Sequence, residues 1–192
     1  MNQTEDVASV ENIRLLLQGN LPWEEVKKLL RLKPKDADRF WKYLEALQGL
    51  VPWPDRILLR VSERLYVVLK QDGSRVVKCT CGHEYGDYRE NWKIHALIYV
   101  RRTQEEIDQV YRPAGVVGPR PGWGEIREYY CPGCGGQHAV EVVPPGYPPI
   151  FEILPDIDAF YRELGRPLEG QDPDGCQDLT VRRTETWAKS SS

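Results

Sequence analysis

The sequence predicts an α+β fold: N-terminal helices, a mostly antiparallel β domain, then a C-terminal helix and a flexible tail. Three observations predict it. Before Pro52-Trp53-Pro54, apolar residues recur at helical spacing. Beyond that boundary they fall into short, β-branched or aromatic runs. Two cysteine pairs, Cys79 with Cys81 and Cys131 with Cys134, sit in the β region, and each is followed at once by glycine.

Residues 6 to 18 carry Val7, Val10, Ile13, Leu16 and Leu17 at helical spacing, and Gly19-Asn20 ends that run. Pro22 starts a second helix holding Val26, Leu29 and Leu30, which Pro34 closes. Asp36 is the expected cap of a third, Ala37 to Gln48, with Phe40, Tyr43, Leu44 and Leu47 on one face and Gly49 past its end. Residues 1–50 thus read as a helical docking segment or a cap over a sheet.

Residues 51–168 read as the β-rich domain. Strands are expected at Ile57 to Val61, Leu65 to Lys70 and, after the Asp72-Gly73 turn, Arg75 to Cys79. Lys93 to Arg101 is a further apolar run. Thr103-Gln104-Glu105-Glu106 is a capping box opening a helix with Ile107, Val110 and Tyr111. Proline and glycine make residues 113–124 a loop. Ile126 to Tyr130 and His138 to Val143 are strands flanking the second cysteine pair. The Pro144 to Pro149 segment must be extended, and Asp156 should cap a helix from Ile157 to Leu164. Residues 169–192 are polar and read as a flexible tail.

The cysteines carry the chemistry. A tight turn aims two thiolates at one ion, and glycine tolerates the left-handed backbone such a turn needs. Four thiolates suit tetrahedral zinc, so Cys79, Cys81, Cys131 and Cys134 are the expected ligands of one ion in a zinc-ribbon-like domain. Because the pairs are far apart in the chain, that ion would tie two distant hairpins together. Cys79-Thr80-Cys81 has a single intervening residue, which leaves His83 open as a replacement for one of the two. Iron in a rubredoxin-like site and four ordinary buried thiols are the alternatives. A redox pair at Cys131-Pro132-Gly133-Cys134 is disfavoured, since Gly135-Gly136 and a β-type run follow where a helix would be needed. Cys176 stands alone in the polar tail as a bystander.

Other polar groups suggest no self-sufficient active site. His95 alternates with apolar neighbours and reads as a hydrogen-bonded core or interface residue, and His138 as a neighbour of the metal. No nucleophile signature and no phosphate-cradling loop ending in Lys-Ser or Lys-Thr occurs. Asp87, Glu90 and Lys93 read as a solvated or salt-bridged surface. The mixed aromatic and charged stretch Tyr85 to Lys93 reads as a protein contact; its acidic residues count against a single-stranded nucleic-acid platform.

Composition narrows the classes further. With 192 residues and 41% apolar content the chain builds a thin core, which a metal staple or a partner surface would stabilise. A net charge of -3 without a basic block argues against nucleic-acid binding. No apolar stretch reaches membrane-spanning length and Met1 to Asp6 lacks a signal-peptide pattern, so a cytoplasmic location with reduced thiols is expected.

Several stretches, in order, resemble the acetone carboxylase gamma subunit family, which includes the related small subunit of acetophenone carboxylase. They are Cys79 to Tyr85, Tyr88 to Lys93, Arg127 to Gly135, Pro145 to Pro148, Leu154 to Ile157, Phe160 to Glu163 and Gly165 to Pro167. Asp38 to Phe40 and the stretch to Trp53 also look alike, so the resemblance spans roughly residues 10 to 168. It implies a noncatalytic, zinc-containing structural subunit of a multisubunit, ATP-dependent carboxylase that joins bicarbonate to a ketone through phosphorylated intermediates. In such assemblies large hydantoinase-like subunits carry ATP, a divalent metal (Mg or Mn) and substrate. Only the metal ligands carry over, onto Cys79, Cys81, Cys131 and Cys134. Phe160-Tyr161-Arg162-Glu163-Leu164 lacks an expected Trp, and the tail after Leu168, with Cys176 and Trp187, is longer than usual. These departures leave open which ketone is handled. Two readings of other classes stand beside this one: a zinc-ribbon nucleic-acid or transcription-associated module, and a zinc enzyme with an open coordination site.

Overall fold

The computed structural model describes residues 7–34, 36–170 and 175–190. Three helices open the chain: α1 (Val10–Leu17), α2 (Trp23–Arg31) and α3 (Arg39–Gln48). Ser9 caps α1, its hydroxyl accepting from the Asn12 amide. α3 starts two residues later than its spacing suggests. Asp36 does not cap it; only its backbone carbonyl is used, by the Arg39 amide at 3.2 Å, while Asp38 takes the cap position without a side-chain bond. Ala8, Leu21 and Leu29 form a small apolar cluster around α1 and α2. α3 instead sends Leu44 and Leu47 into the main core.

Two antiparallel sheets follow. The first has the order β1-β2-β3-β4, built from Arg56–Arg60, Leu65–Leu69, Arg75–Cys79 and Glu84–Asp87. The second is β5-β6-β7, from Leu97–Arg101, Glu125–Tyr130 and Gln137–Val143. Gln48 joins α3 to the first sheet: its amide nitrogen donates to the Trp53 and Asp55 carbonyls, and its oxygen accepts from the Ile57 amide at 3.0 Å. α4 (Gln104–Tyr111) has the expected capping box, with Thr103 and Glu106 exchanging hydrogen bonds. α5 (Ile157–Glu163) is capped by Asp156 and laid on the first sheet. There Tyr161 donates to the Leu58 carbonyl at 2.9 Å, and Arg75 grips Asp158 through two 2.8 Å bonds.

β4 carries no strand signal of its own in the sequence and forms by pairing with β3. The Lys93 to Arg101 run is not one strand: a 3-10 turn, Trp92–His95, precedes β5, and the Asn91 side chain accepts from the Lys93 amide at its start. Where a polar tail was expected, residues 180–190 form α6 (Thr180–Ser190). Its start is held by two 2.9 Å bonds, Leu179 N–H to the Arg89 carbonyl and Asn91 N–H to the Thr180 hydroxyl. Residues 171–174, 191 and 192 lie outside the described residues. Among the described residues no helix is long and apolar enough to cross a membrane.

The segment from Tyr85 to Lys93, read from sequence as a contact surface, is largely interior. Tyr85, Tyr88 and Trp92 belong to the main core with Tyr129, Cys79 and Cys131. Lys93 is 0% exposed. Its ammonium pairs with Glu141 and Glu152, donates to the Ile150 carbonyl at 2.9 Å, and lies 5.1 Å from the centre of the Tyr129 ring. Glu141 also accepts from the Tyr129 hydroxyl at 2.7 Å and from the Ile150 amide at 3.1 Å. A buried charge persists only when paired in this way. The network fixes the proline-rich strap after β7 to the second sheet, helped by Asn91 donating to the Pro149 carbonyl at 3.1 Å.

Candidate metal centre

Each cysteine pair lies in the turn of a hairpin, one in each sheet. Cys79 is the last residue of β3, and the chain returns as β4. The turn is drawn tight because the Cys79 amide donates to the His83 carbonyl and the Gly82 amide to the Cys79 carbonyl, both at 2.8 Å. Gly82 takes φ 98°, a left-handed conformation that a side chain would strain. The second turn, between β6 and β7, repeats the pattern: Cys131 N–H to the Gly136 carbonyl at 2.9 Å and Gly135 N–H to the Cys131 carbonyl at 2.8 Å. Trp53 braces the first turn from below, its indole N–H shared between the Cys79 and Thr80 carbonyls.

The two turns face each other and bring all four sulfurs within 4.8 Å of one another. Cys79 Sγ lies 3.9 Å from Cys134 Sγ, and Cys81 Sγ lies 3.7 Å from Cys131 Sγ. A tetrahedral zinc–thiolate shell with bonds of about 2.3 Å has sulfur–sulfur edges of about 3.8 Å. The donor set and its spacing therefore fit a metal ion and are compatible with zinc. His83 is not part of the converging group; its ring packs edge-on against Tyr85, with centroids 4.9 Å apart.

The electrostatics divide the four thiols. Burial pushes the Cys79 thiol up. At Cys131 burial acts in the same sense but is outweighed by the Tyr85 hydroxyl and the Gly133 and Cys134 amides, and the thiol falls to about 7. Arg64 brings a guanidinium to 3.9 Å from Cys134 Sγ. Cys79 and Cys131 are buried, whereas Cys81 and Cys134 are exposed.

His138 lies beside this centre, edge-on to Tyr85 and Trp92 at 5.8 and 5.7 Å. Both its ring nitrogens are buried without a hydrogen-bond partner. Burial, with lesser contributions from Arg64 and His83, lowers it to about 4 and keeps it neutral. His95 is held by Glu90 at 3.1 Å, and Asp87 by Arg89 at 2.7 Å. Cys176 stands apart, its thiol donating to the Leu154 carbonyl at 3.4 Å. The aromatic support from Trp53, Tyr85 and Trp92 gives no periodic signal in the sequence, since the three lie just before β1, in β4 and in the 3-10 turn before β5.

The sequence pattern that defines the family described as "Acetone carboxylase gamma subunit" matches residues 51–165, which contain both turns. The chain is 39% identical over 155 residues to the "Acetone carboxylase gamma subunit" of Xanthobacter autotrophicus, covering 80% of this chain and 90% of that protein. It is 36% identical over 84 residues to the "Acetophenone carboxylase beta subunit" of Aromatoleum aromaticum, covering 44% of this chain and 65% of that protein.

Proposed function

The chain belongs to the acetone carboxylase gamma subunit family, and from that membership we propose that it is a noncatalytic, zinc-binding structural subunit of a multisubunit, ATP-dependent ketone carboxylase. Its partners would be large hydantoinase-like subunits that carry ATP, Mg or Mn, and a ketone of the acetone or acetophenone type. The observation that carries this reading is the convergence of four sulfurs from two sheets within 4.8 Å.

Cys79, Cys81, Cys131 and Cys134 would hold the ion. Zinc in such a shell supplies a cross-link, since four thiolates leave no coordination position for substrate or water. The protein's own groups set the geometry: the glycine turns aim the sulfurs, Trp53 fixes the first turn, and the Tyr85–Trp92–Tyr129 stack fills the space beneath. Docking is supported by the second sheet. Its register places Leu97, Tyr99, Val140 and Val142 on one face, all exposed, in a chain with few apolar residues to spare. These residues flank the Arg101–Glu128 pair at the centre of that face, and exposed apolar side chains gathered on one face suit an interface.

The test is a tagged copy expressed in the native host. Co-purification of two large chains with ketone-dependent ATP turnover, and about one zinc per small chain, is the expected result. Appreciable carboxylation by the small chain alone, or a metal-free folded chain, would overturn the reading.

A further inference from the structure

The four sulfurs are not equivalent. Cys79 and Cys131 are each 0% exposed, while Cys81 and Cys134, one from each turn, face solvent. The close contacts run between turns and pair an exposed sulfur with a buried one: Cys81 with Cys131 at 3.7 Å, and Cys134 with Cys79 at 3.9 Å. A disulfide needs the sulfurs at about 2.05 Å, so each pair must close by just under about 2 Å.

We infer that the outer rim of this centre, Cys81 and Cys134, is a site of modification by peroxides, and that the buried cysteine of the opposite turn completes the reaction as a disulfide joining the two turns. This rests on the metal reading proposed above. In the first step an exposed thiolate attacks a peroxide oxygen; the S–O bond forms, the O–O bond breaks, and hydroxide leaves to be protonated to water when the oxidant is hydrogen peroxide. Sulfur is oxidised to the sulfenic acid and the peroxide is reduced. In the second step the buried thiolate opposite attacks that sulfur; the S–S bond forms and the S–O bond breaks, with a second hydroxide protonated to water. Each turnover consumes one peroxide and two thiolates. Losing two of four ligands releases the ion, and the covalent bridge then takes over the link between the sheets.

Access sets the first step, and the 3.7 and 3.9 Å contacts between the turns set the partners for the second. The buried sulfurs are shielded from a dissolved oxidant, and reactivity follows access as well as thiolate character. Cys176, exposed and donating to the Leu154 carbonyl, lies outside the converging group of four.

The experiment uses the full chain carrying Cys176→Ser, with its zinc content first measured by elemental analysis, and treats it with hydrogen peroxide. Zinc release is followed with a chromogenic chelator. Sulfenic acid is trapped with dimedone, and tryptic peptides are mapped without reduction. Cleavage after Lys78 and Arg89 puts the first two cysteines on one peptide, and cleavage after Arg127 puts the other two on a second. Expected are dimedone adducts at Cys81 or Cys134, complete loss of zinc, and a covalently joined pair of peptides with Cys81–Cys131 or Cys79–Cys134 connectivity. Unjoined peptides with an internal Cys131–Cys134 bridge, adducts at Cys79 or Cys131, or zinc retained as peroxide is consumed would each overturn the inference. A chain that is zinc-free at the outset sinks the metal reading itself, which the elemental analysis reports before any oxidant is added.

Discussion

Gly133 of the second cysteine turn lies directly against His83 of the first: a carbon added at its Cα would meet His83 Cβ at 2.9 Å and Cys81 Sγ at 3.3 Å. The two turns are thus in contact through backbone as well as through their sulfurs. Gly133→Ala must push them apart, and the obstacle is the rigid base of a side chain. Overpacking of this kind costs about 1–3 kcal/mol. Zinc affinity should fall along with the unfolding midpoint, measured by chelator competition and by thermal melts. A variant that melts and binds metal like the parent would contradict the facing arrangement.

Removal of the proposed zinc should affect both sheets together. A structural zinc contributes roughly 10–16 kcal/mol of apparent binding energy in small domains. Chelation, or Cys79→Ser at a buried position, should therefore increase hydrogen exchange in β3–β4 and β6–β7 alike. Loss of protection in one hairpin alone would show that no single ion spans them.

Lys93 gives a test independent of metal. Replacing it by Met leaves Glu141 buried without its cation, and breaking a buried pair typically costs about 3–5 kcal/mol. The double variant Lys93→Met with Glu141→Gln should recover part of that loss, because the orphaned charge is gone. Denaturant unfolding of both singles and the double gives the coupling directly; strict additivity would contradict the pairing.

The pH dependence follows from His138. Its folded-state value is about 4, lowered chiefly by burial, against an ordinary 6.5. Between those values the unfolded chain binds the proton more readily than the folded one, so the contribution of His138 to stability declines as pH falls through this window and is constant above it. His138→Phe keeps a ring against Tyr85 and Trp92 and sacrifices no hydrogen bond, since neither nitrogen has a partner. It should flatten this decline in melts between pH 4 and 6.5 with zinc content monitored in parallel; an unchanged slope would remove His138 as its source.

Much of this could be read before any coordinates. The β1–β3 hairpins, the Thr103 capping box, the Asp156 cap and the four cysteines all carry local signals: alternation, turn residues, cap chemistry and spacing. What escaped depends on partners distant in sequence. Lys93 looks like a surface residue until Glu141 and Glu152 are placed around it. Glu84 to Asp87 is too short, and too acidic at both ends, to read as a strand; its pairing with β3 supplies what its composition lacks. α6 follows a Gly- and Asp-rich stretch that masks its start, and its anchor on Arg89 and Asn91 is a tertiary contact.

The position of the two cysteine turns has a bearing on biosynthesis. The first is translated with its thiols lacking counterparts, and none arrives until the helix α4, a long loop and β6 have left the ribosome. Between those moments the nascent polypeptide carries only two of the four thiols that converge in the finished fold. A message truncated before Cys131 would yield a product permanently in that condition.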